Sequence, residues 1–121
     1  MKLDDVLKEL TPVVGLTSLI GAPQSVSSRQ ALQPTLRQAR REYERVQAAQ
    51  AASNSDAAYW GWEGQRAYWA CLVSLLEATE ITGEDNLPDV PLPKRIGVVM
   101  DLSYEMEEFG KMVLELAKQS P

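Results

Sequence analysis

The segment Ser55–Thr82, SDAAYWGWEGQRAYWACLVSLLEATEIT, constrains this chain most, because it is helix-periodic throughout and apolar on two opposite sides. It holds all three tryptophans, two of the four tyrosines and the only cysteine. On an α-helix, Tyr59, Trp62, Arg66, Trp69, Val73 and Leu76 fall on one stripe, which is expected to face a core. Trp60 points about 160° away from Trp62. Behind it, Gly64, Ala67, Cys71 and Leu75 form a second stripe. A helix with two such faces is either central or completed from outside. The second stripe is therefore read as a surface for another protein or a second copy in a homodimer, with Trp60, Gly64 and Cys71 as its markers. The competing reading is that Trp60 packs on the N-terminal segment.

The rest of the chain reads as packing for that helix, in a single domain over residues 1–121. Residues 1–22 form a short helical N-terminal segment, either two helices or one kinked at Pro12. Over residues 28–53, Leu32, Leu36, Ala39, Tyr43 and Val46 repeat at four and three residues, which predicts a long helix. Pro34 interrupts it, so the regular helix is expected to start near Gln33. The break at Asn54 and Ser55 is short enough for an antiparallel hairpin with the helix over residues 55–82. Residues 83–93 contain Pro88, Pro91 and Pro93 and predict an extended connector able to cross one end of a bundle. A last helix over residues 94–118 has Ile96, Val99, Met106 and Val113 on one seam and Val98, Leu102, Phe109, Met112 and Leu116 beside it. Ser103, Gly110 and Ala117 recur every seven residues within that face, as close approach of another helix backbone requires. The expected fold is all-α: an antiparallel helical bundle of three long helices with a short helical N-terminal segment.

Composition removes whole classes of chemistry. With no histidine, there is no Ser-His-Asp or Cys-His nucleophile, no imidazole metal ligand and no imidazole pH switch. One cysteine makes no intrachain disulfide, and a reducing, cytoplasmic setting is the simplest expectation. The apolar run LTPVVGLTSLIGA, residues 10–22, lacks a basic flank and is too short to span a bilayer, so no membrane association is expected. The formal net charge is -5, which disfavours nucleic acid as a partner. That charge is unevenly spread: Ser27–Ser53 carries five arginines against two glutamates, whereas Glu77–Glu108 carries nine acids against two bases.

Four constellations carry possible chemistry. Trp62 and Trp69, with Arg66 between them, suit a clamp for a small ligand or nucleotide, since arginine and bases both stack on indole. The plainer reading buries both indoles and pairs Arg66 with a carboxylate of the last helix. Glu77, Glu80, Glu105 and Glu108 lie in two pairs at a spacing of three, and four carboxylates on antiparallel helices are suited to magnesium. This last pattern resembles the all-α nucleoside triphosphate pyrophosphatases of the MazG type, which carry EExxE on one helix and ExxD on the next. The resemblance implies a magnesium-dependent pyrophosphohydrolase. Here Leu76 precedes Glu77 and Glu108 stands where Asp is expected. Arg37, Arg41 and Arg45, with Arg40 on their flank, form a basic row that reads as a solvated face. The primary expectation is a non-catalytic interaction module, such as an adaptor, inhibitor, immunity-type or assembly protein. No cofactor is expected outside the magnesium reading.

Overall fold

The computed structural model describes residues 1–7, 29–83, 85–92 and 99–119. It is an all-α bundle. A helical stretch over residues 3–7 (α1) precedes α2 (Arg29–Ala51), α3 (Asp56–Thr82) and α4 (Val99–Gln119). The expected second short helix over residues 12–20, and the start of the last helix over residues 94–98, lie outside the described residues.

The hairpin between α2 and α3 forms as the sequence suggests. Ser55 takes an extended conformation, φ -152° and ψ 155°, and its hydroxyl accepts the Ala58 N–H at 3.1 Å, capping α3. The Gln50 side chain donates to the Tyr59 carbonyl at 3.3 Å and ties the two helices beside the turn. At the far end, Gly83 at φ 102° donates its N–H to the Thr79 carbonyl at 2.8 Å and ends α3. Pro34 does not delay α2: the helix is regular from Arg29 and carries Pro34 inside it on the exposed side.

α3 is the shared wall of the bundle, with α2 on one side and α4 on another. Leu32, Leu36, Ala39 and Val46 of α2 are buried against it, as are Met106, Phe109, Val113 and Ala117 of α4. The broad apolar face expected on α4 is buried only in part, since Met112 is 50% and Leu116 37% exposed. α1 and the connector complete the core with Leu3, Val6, Leu7, Leu87 and Val90. They are joined by two backbone hydrogen bonds, Leu3 N–H to the Asp85 carbonyl at 3.1 Å and Leu87 N–H to the Met1 carbonyl at 2.8 Å, around an isolated bridge between Lys2 and Asn86.

The antiparallel arrangement holds for α2 and α3, but α4 runs in the same direction as α3. Gly110 lies against Cys71 and Ser74, and the Arg66 guanidinium reaches Glu107 at 2.8 Å, so lower residues meet lower and higher meet higher. The connector therefore carries the chain back along the bundle instead of only across one end. At this register, Ser103 falls level with Gly64 and Ala117 with Ala78, so small residues meet in successive layers. Ser103, Ala117 and Ala78 are all buried.

The approach leaves little room for a side chain at position 110. A Cβ there would stand 3.1 Å from Cys71 Cα and 3.2 Å from the Cys71 carbonyl oxygen, tighter than ordinary contact and against backbone, which yields less readily than a side chain. Gly61, also inside α3, is exposed and has nothing within 4 Å of such a Cβ. The two glycines should respond oppositely to alanine. By chemical denaturation, Gly61→Ala is expected to stabilise the protein by about 0.5–1 kcal/mol. Gly110→Ala is expected to destabilise it by about 1–2 kcal/mol, because strain against α3 outweighs the gain in helix propensity.

Candidate functional site

The first stripe of α3 divides along its length. Trp69 and Leu76 are 1% and 0% exposed, Trp62 is half-buried against the core, and Tyr59 is exposed at 41%. Trp69 stands edge-on to Tyr68, ring centroids 5.4 Å apart. The expected clamp of Trp62, Arg66 and Trp69 does not form, because Trp69 is sealed in the core and Arg66 is engaged elsewhere. The Arg66 guanidinium bonds Glu63, one turn before it, and Glu107 across on α4.

This ion network fixes α3 to α4. Burial opposes the Arg66 charge, but hydrogen bonds to Glu107 and then Glu63 raise its pKa above the ordinary arginine value. The hydrogen bond from Arg66 holds the Glu107 carboxyl below its ordinary 4.5 against the opposing effect of burial, with the charges of Arg66 and Lys111 adding to it. Lys111 Nζ lies 3.6 Å from Glu107 and 3.7 Å from Glu108. Between α2 and α4, a groove of about 210 Å³ is lined by Tyr43, Ala70, Val73, Ser74, Glu107 and Lys111.

The second stripe is mostly interior, which corrects the partner surface as first drawn. Ala67, Cys71 and Leu75 are 0%, 1% and 0% exposed, with Gly110 of α4 lying over Cys71. Gly64 is half-buried. Burial pushes the Cys71 thiol up to about 12, so it is an inert core residue. Trp60 alone stays open at the head of the stripe, 40% exposed, with Tyr59 packed edge-on at 5.0 Å and an interplanar angle of 86°. The two rings sit in the first turns of a capped helix, so their backbone is rigid while their faces meet solvent.

The four glutamates are not brought together. Among the described residues, no three His, Cys, Asp or Glu side chains are placed to share a metal ion. The direction of α4 explains this: Glu105 falls level with Arg66, about 16 Å along the axis from Glu77. Glu77 instead pairs with Arg40 of α2 at 3.1 Å, while Glu80 is exposed. The plainer reading of Arg66, paired with a carboxylate of the last helix, is the one observed, with Glu107 as that carboxylate; Glu63 was missed, although its spacing of three from Arg66 was a usable signal.

Comparison with protein-family models, curated proteins and solved structures found no match to this chain. Functional inference therefore rests on geometry.

The ion network makes a signed pH prediction. Because the folded pKa of Glu107 is lowered, its contribution is present above the unfolded value near 4.5 and is lost as pH falls through the folded value. Glu107→Gln should therefore destabilise the protein at neutral pH by about 1–3 kcal/mol, since Arg66 loses a charged partner. The gap from wild type should narrow on acidification below pH 4.5, as read by denaturant midpoints across pH.

Proposed function

We propose that the protein is a non-catalytic protein–protein interaction module, in the manner of an adaptor, inhibitor, immunity-type or assembly protein. Its anchor is the Tyr59–Trp60 pair. The observation that carries this reading is an edge-packed Trp and Tyr, both about two-fifths exposed, on the rigid start of a helix whose central apolar positions, Ala67, Tyr68, Trp69, Cys71, Leu72, Leu75 and Leu76, are buried. Tryptophan and tyrosine dominate binding hot spots because they bury much area at small conformational cost. The partner is another protein or a second copy of this chain.

The acidic C-terminal half contributes less than its charge suggests. Glu107 is held by Arg66 and Lys111, Glu108 lies near Lys111, and Glu115 near Lys118. No helix among the described residues is long and apolar enough to cross a membrane. A cytoplasmic setting belongs to the same proposal and is supported by the buried, unpaired thiol of Cys71. The magnesium and Trp/Arg-clamp alternatives draw no support from the positions of their residues.

Trp60→Glu tests the proposal, because an exposed site tolerates the change without loss of fold. Light scattering across a concentration series is expected to show wild-type self-association that the variant lacks. If the partner is a different protein, a photo-cross-linker at position 60 in the native host should capture one defined species that Trp60→Glu loses, with unchanged helical circular dichroism. A monomer in both forms together with no defined cross-link at position 60 would overturn the reading.

A further inference from the structure

The basic row of α2 is left unabsorbed by the interaction reading, and the inference drawn from it does not depend on that reading. Arg37 and Arg41 are four residues apart and exposed, one helical turn above the other on the outer side of α2. With Arg40 they line one open cavity of about 270 Å³. Three arginine side chains thus border a single space.

Pairing sets Arg37 and Arg41 apart from Arg40, Arg45, Arg66, Lys111 and Lys118. Arg40 is held by Glu77 at 3.1 Å, Arg45 turns to Glu42 at 2.8 Å, Arg66 binds Glu63 and Glu107, and Lys111 and Lys118 each approach a carboxylate. Arg37 and Arg41 have no ion pair or side-chain hydrogen bond among the described residues. A chain with seventeen acids and twelve bases has carboxylates to spare, yet among the described residues these two cations stand together without one. Glu42, next to Arg41 in the chain, is itself paired with Arg45. Arg40, fixed by Glu77, still has donors to offer on its far edge.

We propose that Arg37, Arg40 and Arg41 form a binding site for a compact phosphate group, a phosphomonoester or inorganic phosphate. A phosphate dianion offers three terminal oxygens at once, which two guanidinium forks and the edge of a third can share, whereas a lone carboxylate occupies one fork. Compactness follows from the surrounding charge. A single phosphate can sit against the three arginines, whereas Glu77, which holds Arg40 at 3.1 Å, and exposed Glu44 oppose a larger anion. A polynucleotide would extend past them over exposed Glu44 and across a molecule of net charge -5.

Amide chemical-shift titration of the full chain at low ionic strength tests the site, with inorganic phosphate, adenosine monophosphate and phosphoserine as separate arms. Saturable shifts confined to the stretch around residues 37–44 are expected, and the arm that binds tightest identifies the source of the phosphate. Arg37→Gln with Arg41→Gln should weaken binding about tenfold with unchanged circular dichroism, since both side chains are exposed. Glu44→Gln should tighten it severalfold by removing an exposed carboxylate from the same helix. No saturable shift at millimolar phosphate, an equal response to chloride at matched ionic strength, or shifts that survive the double substitution would each overturn the proposal. So would tighter binding of single-stranded DNA, with a salt dependence steeper than three charges allow.

Discussion

The contact between Gly110 and the backbone of α3 at Cys71 governs the architecture. A residue without a side chain lets the two helices lie this close without strain, and the layers above and below are small as well. Ser103 and Ala117 on α4, and Ala67 and Ala78 on α3, make up those layers and are all buried. The seam fixes the direction of α4, and the direction of α4 fixes the course of the connector. The connector in turn places Leu87 and Val90 where α1 can pack beside them.

Arg66 acts on the same interface by a different force. Its side chain is 18% exposed and lies between two carboxylates, one on its own helix and one on α4. Breaking such a group costs more than making it gains, since the remaining charges are left in a poorly hydrated place. Apolar packing brings α3 and α4 together, and the ion network penalises any sliding of one along the other. Close packing and charge pairing thus select one register.

Much of this was legible in the residues. The periodicity of residues 28–53 and 55–82 located two helices to within a residue or two at each end, and the short break between them dictated a hairpin. The seven-residue recurrence of Ser103, Gly110 and Ala117 announced a close helix contact. What the sequence left open was the sense of α4, because a connector of eleven residues with three prolines is long enough either to cross an end or to start back along the side. That one ambiguity decided the glutamates: level with each other if the helices opposed, far apart when they run together. Arg66 carried a related lesson. Its position between two tryptophans suggested stacking, but a carboxylate one turn away and another across the interface offered a stronger interaction than an indole face. The exposure of Trp60 was legible only as a choice, since it could pack on the N-terminal segment or be left for a partner; in the structure α4 covers Cys71 further along the stripe and Trp60 stays open.

The pairing of residues 1–3 with residues 85–87 has a consequence for how the chain acquires its form. The hairpin of α2 and α3 is built from near neighbours and can close early, whereas α1 must wait for a segment some eighty residues downstream. During vectorial synthesis, Leu3, Val6 and Leu7 remain without their native cover until the connector has emerged. The small β-like contact at Lys2 and Asn86 is thus a late latch, joining distant parts of the chain after the local structure is in place.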